Sequence, residues 1–119
     1  MPLPTTDRGT YLAIIYALVA ERLTAFYEHH QWITTGQGAT FAAEWLARRK
    51  LSLSIETRKH LSALSDQLAR QIAGSLSREA GLYTAHEMME SLSPNYQSDI
   101  GQSIMLECEQ ILDSHSLGN

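Results

Sequence analysis

One cysteine, Cys108, is all that the 119 residues contain. An intramolecular disulfide is therefore excluded, and without a CxxC or a paired Cys/His cluster so is a thiolate metal framework. Such cysteine usage suits a reducing compartment, and a cytoplasmic location is expected. Proline is sparse too, at positions 2, 4 and 94 only, so no proline in the long middle of the chain forbids helix. Apolar runs are short. Residues 11–20 carry no charge, but Glu21-Arg22 ends that stretch at half of the roughly 20 residues that span a bilayer. No basic region precedes it, so neither a membrane span nor a signal peptide is expected. Hydrophobic content of 44% excludes a disordered or low-complexity chain.

Cations are absent from the last third. Residues 1–78 hold all nine Lys and Arg against six acids, a net +3, whereas residues 79–119 hold seven acids and no Lys or Arg. Five cations crowd into a short window: Arg48, Arg49, Lys50, Arg58 and Lys59. The basic middle and acidic end suit electrostatic recognition between protein surfaces better than a nucleic-acid-binding domain, which is usually basic overall.

Catalytic patterns are missing too. The sequence contains no HExxH, no Glu-x-x-His, no GxSxG elbow and no GxxxxGK[ST] loop. Gly36-Gln37-Gly38 is too short to cradle a phosphate. Cys108 lies between Glu107 and Glu109, whose charge disfavours a thiolate nucleophile. Arg22 and His29 are similar in spacing to the Arg…His pair of HEPN-type helical ribonucleases, although Leu23 stands where that family usually has a polar residue. That resemblance alone would imply RNA cleavage, but spacing of this kind also arises by chance among several His and Arg, and the expectation is no enzyme activity, no metal and no cofactor.

What is present is helical periodicity. Residues 1–9 read as an extended lead-in because of Pro2 and Pro4, with Asp7 placed to cap a first helix over 11–32. Leu12, Ile15, Val19, Leu23 and Phe26 form one face of it, and Tyr11, Ile14, Leu18 and Ala25 a second. Residues 34–38 read as a turn. Thr40 then caps a helix that buries Phe41, Ala42, Trp45 and Leu46 and ends on three cations suited to its dipole.

Ser54 caps a third helix with a narrow stripe of Leu61, Leu64, Leu68, Ile72 and Leu76. It weakens between Gly74 and Gly81. Thr84-Ala85-His86-Glu87 has the form of a capping box, with Tyr83 and Met88 as its hydrophobic staple. Ser93-Pro94 reads as the start of a last helix, which runs to about Asp113 with Tyr96, Ile100, Ile104, Cys108 and Ile111 inward. Residues 114–119 should fray. The expected fold is all-α: one domain, a compact bundle of about five helices with mostly antiparallel neighbours.

The function expected from this pattern is protein–protein interaction, as a small adaptor, assembly factor or regulator. Tyr11, Ile14, Ile15, Leu18 and Val19 carry more apolar circumference than a small monomer usually encloses, which suggests a homodimer built on them. The alternative is a nucleic-acid-associated regulator gripping phosphates with Arg48, Arg49, Lys50, Arg58 and Lys59.

Overall fold

The computed structural model describes residues 4–92 and 98–115, and among these every regular element is an α-helix. There are five: α1 over Pro4–His29, α2 over Thr35–Arg48, α3 over Ile55–Gly74, α4 over Arg78–Glu90 and α5 over Asp99–Ser114. All five contribute to one apolar core.

Helix α1 begins earlier than the prolines suggested. Pro4 is its first residue, where a fixed φ favours the helix and a missing N–H leaves nothing unsatisfied. Asp7 consequently falls inside the helix and not at its cap. At the other end α1 stops at His29, because His30 adopts a left-handed φ of 58° and its amide closes back on the Phe26 carbonyl.

The turn expected at 34–38 is in fact the first turn of α2. Thr34 is the N-cap, with its hydroxyl accepting from the Gln37 amide while the Gln37 side chain accepts from the Thr34 amide. That is a complete capping box. Thr40 is interior, its hydroxyl donating to the Gly36 carbonyl. Helix α3 starts as expected, with Ser54 accepting from the Thr57 amide.

The box expected at Thr84–Glu87 does not form. Ser77 caps α4 seven residues earlier, accepting from the Ala80 amide, so Thr84 lies mid-helix and is buried. Tyr83 points outward and Met88 inward, and no staple joins them. Ser98 caps α5 through the Gly101 amide. The Ser93-Pro94 start and Tyr96 lie outside the described residues.

Specific contacts give the topology. Helices α1 and α3 run in the same direction, because Arg22 meets Ser62 and Asp66 while Tyr27 reaches the Ala73 carbonyl. Helix α2 returns against α3, and α4 runs against α1, placing Gly81 on Tyr27 and Ser91 on Tyr16. Helix α5 takes up where α4 ends. It continues in the same direction along the first half of α1, from Gly101 at Tyr16 to Asp113 at Arg8, 2.6 Å away.

Thus α1 is the central element, with α4 and α5 laid end to end along it and α3 beside it. By length and composition the Arg8–His29 stretch could cross a membrane. The shortness of the charge-free run at 11–20 therefore does not by itself exclude a span. What marks α1 as a core helix is its enclosure by α3, α4 and α5.

Candidate docking groove

The residues proposed for self-association do not form a surface. Ile14, Ile15, Leu18 and Val19 are buried in the interior of a single chain, and Tyr11 is partly buried against the same core. The apolar circumference that suggested a second copy is covered by the neighbouring helices. Burial of those four side chains, at about 1.5–3 kcal/mol each, stabilises the fold itself.

An apolar surface does remain open, on a different part of α1. Helix α2 packs chiefly on α3, whereas α4 and α5 follow α1. Between them lies a groove of about 600 Å³. Its floor is Ala13, Tyr16 and Ala17 of α1; one wall is Phe41 and Trp45 of α2, and the other is Met89 and Leu92 with Gly101, Gln102 and Met105. Met89 and Leu92 are exposed there, each large and apolar.

Small residues shape the groove. Ala13 and Ala17 keep the α1 floor low, and Gly101 lets α5 close on the Tyr16 ring. A Cβ at residue 101 would stand 2.6 Å from the Tyr16 hydroxyl. That hydroxyl bonds to Ser91 Oγ, which in turn donates to the Met88 carbonyl, fixing the Tyr16 ring at the seam of α4 and α5. Burial raises the Tyr16 pKa, an effect the Ser91 bond partly offsets.

Charge lines the groove unevenly. Arg48 and Arg49 stand at the end of α2. The Arg49 guanidinium lies over the Trp45 ring, its Cζ 3.7 Å from the centroid, and Nη1 donates to the Trp45 carbonyl. Glu21 is the acid, half-buried on α1. Burial raises its pKa above the ordinary 4.5, Arg22 lowers it, and Glu44 raises it again. Because α2 runs against α1, Glu21 and the arginine pair occupy opposite ends.

The basic cluster is thereby divided. Arg48 and Arg49 join the groove, whereas Arg58 folds back so that Nη1 donates to the Leu53 carbonyl and Nε is buried. Lys50 and Lys59 are exposed. Lys50 takes a left-handed φ of 56° just past α2.

Arg22 and His29 are not brought together as the ribonuclease-like spacing implied. Arg22 is fully buried between α1, α2 and α3, and His29 is exposed at the end of α1. Arg22 Nη2 donates to Ser62 Oγ at 2.7 Å, and Nε faces Asp66 at 3.6 Å. A Cβ on Gly38 would stand 2.6 Å from Nη2, so α2 can lie over the guanidinium only because residue 38 is glycine. Cys108 is buried, and its thiol is pushed up to about 12 by that burial and by Glu107 and Glu109.

No family model, curated protein or solved structure matches this chain.

Sequence reasoning placed Phe41 and Trp45 in the core, yet both are groove-lining and only partly buried. Ala13, Ala17, Gly101 and Met105 escaped notice as site residues. A Trp followed four residues later by Arg, Trp45 and Arg49, was the one local signal for a stacked and exposed pair.

Proposed function

We propose that the protein is a protein–protein interaction module and that the groove between α1, α2 and α5 is its docking surface. The observation that carries this reading is an open apolar groove on a molecule whose other large apolar helix face is enclosed. Its composition supports the reading further. Two methionines provide adaptable walls, and Trp45 and Phe41 provide rigid aromatic area, which interfaces favour. Arg49 is held in place on Trp45, a combination of residue types enriched at binding hot spots.

The groove also fits the size of a helix. Glu21 follows Ala13 by eight positions on α1, and Arg49 follows Phe41 by eight on α2, each about 12 Å of helix rise. A partner helix using anchors at i, i+3 or i+4 and i+7 needs about 10.5 Å.

Peptide display on the full-length protein tests the proposal, with Gln102→Trp as the counter-target. Gln102 is exposed on the groove wall, so tryptophan there fills the groove without disturbing the core. Enrichment of peptides that bind the native chain and not the filled one is expected. Binders indifferent to Gln102→Trp, or no binders, would overturn the proposal.

A further inference from the structure

The two ends of the groove carry opposite charge, and that polarity selects what can lie in it. Glu21 stands at one end and Arg48 with Arg49 at the other, with an apolar floor between them that follows α1 from Ala13 to Glu21, about 12 Å of helix rise. An α-helix has the matching asymmetry. Its first amides are unsatisfied and positive, and its last carbonyls are unsatisfied and negative. We infer that the groove takes an amphipathic helix of two to three turns in one direction only, with its N-terminus at Glu21 and its C-terminus at Arg48 and Arg49.

Each end supplies a cap. The Glu21 carboxylate is an acceptor for the first-turn amides of the incoming helix, as an acidic N-cap side chain is in its own helix. Two guanidinium groups are donors for its last carbonyls or for a carboxylate in its last turn. Arg49 is held for this by the Trp45 ring and carbonyl.

A one-headed anionic amphiphile suits the groove less well. With its head at the arginines, its hydrocarbon tail would end against Glu21. A helix with apolar anchors for Phe41, Trp45, Met89 and Met105 satisfies both ends and the apolar walls together.

This inference rests on the docking role proposed above, and the test separates the two. Display-selected groove peptides are synthesised with a nitroxide at one terminus and added to isotope-labelled full-length protein. A C-terminal nitroxide should broaden the amides of Arg48 and Arg49, and an N-terminal one those near Glu21. Glu21→Gln and Arg49→Gln should each weaken binding about two- to fivefold. Folding of both variants is checked by their amide spectra.

The reverse pattern of broadening, or a bound peptide that is not helical, overturns the polarity while leaving the docking role intact. If only dodecanoate shifts the groove amides and no peptide does, both fall. A concentration-dependent dimer that occupies the groove without the helix polarity overturns this inference alone.

Discussion

Gly81 of α4 rests on the ring of Tyr27 so closely that a Cβ added there would lie 2.0 Å from Cζ. The contact sets the distance between α4 and α1. Tyr27 is in turn fixed by its hydroxyl bond to the Ala73 carbonyl and by the edge of Phe26. Phe26 stacks on Trp32, and Arg70 covers Trp32 while bonding to Asp66. One glycine thus anchors a chain of contacts linking α1, α3 and α4.

Gly81→Ala separates local propensity from packing. Alanine in a helix interior is favoured over glycine by about 1 kcal/mol. Overpacking against Tyr27 costs typically 1–3 kcal/mol or more and should prevail. Urea denaturation should show net destabilisation of about 1–2 kcal/mol. In a Tyr27→Ala background the sign should reverse, giving a clear coupling in the double-mutant cycle. Stabilisation by Gly81→Ala alone would contradict the contact.

Arg22 and Asp66 should respond in opposite ways to replacement. Arg22 is buried, bonded to Ser62 and facing Asp66 at 3.6 Å, and its pKa is lowered by desolvation more than Asp66 restores it. An apolar side chain of similar length avoids that desolvation. Arg22→Met is therefore expected to be neutral or stabilising by about 1–2 kcal/mol in thermal or chemical denaturation. Asp66→Asn removes the countercharge and leaves the guanidinium buried, so it should destabilise by about 1–3 kcal/mol.

Glu21 gives the fold a pH dependence of unusual sign for a carboxylate. Its folded-state pKa is raised, mainly by burial. The folded chain therefore holds the Glu21 proton more tightly than the unfolded chain does, and this residue's contribution to stability falls as pH rises from about 4.5 through the folded value. Glu21→Gln should flatten that part of the stability profile and make the fold slightly more stable at neutral pH. Denaturation curves across mildly acidic to neutral pH check this. The same variant should bind groove peptides less well, a cost in function for a gain in stability.

Cys108 should behave as a core residue. With its thiol buried and pushed up to about 12, it carries almost no thiolate near neutrality. A thiol reagent at pH 8 is expected to label it only as fast as the protein opens, and labelling should become rapid in denaturant. Fast labelling of the native chain would mean that α5 does not lie closed on α1.

Much of the fold was legible in the sequence, because periodicity and caps act locally. Ser54 caps α3, and Leu61, Leu64, Leu68 and Ile72 face inward as their spacing requires. The errors arose where one pattern has two physical meanings. Thr84–Glu87 has the letters of a capping box, but those letters carry that meaning only if the chain before Thr84 is not helical. Ser77 had already started the helix.

Gly36 and Gly38 looked like breakers, yet Gly38 is glycine because Arg22 lies beneath it, a contact between residues far apart in the chain. The site was harder to read for the same reason. Nothing in the sequence distinguishes an apolar α1 face covered by α3 or α4 from one left open between α2 and α5. That choice depends on where α2 settles on α3.

The central claim, that this groove is where a partner protein docks, is tested most directly by Trp45 emission. In a Trp32→Phe chain Trp45 is the single tryptophan and lines the groove. Titration with a display-selected groove peptide should shift its emission to the blue and saturate at one peptide per chain. Gln102→Trp would confuse the optical signal, so a Met105→Glu chain serves as the control and should show no shift. Binding measured by calorimetry that leaves Trp45 emission unchanged, or that survives Met105→Glu undiminished, would contradict the claim.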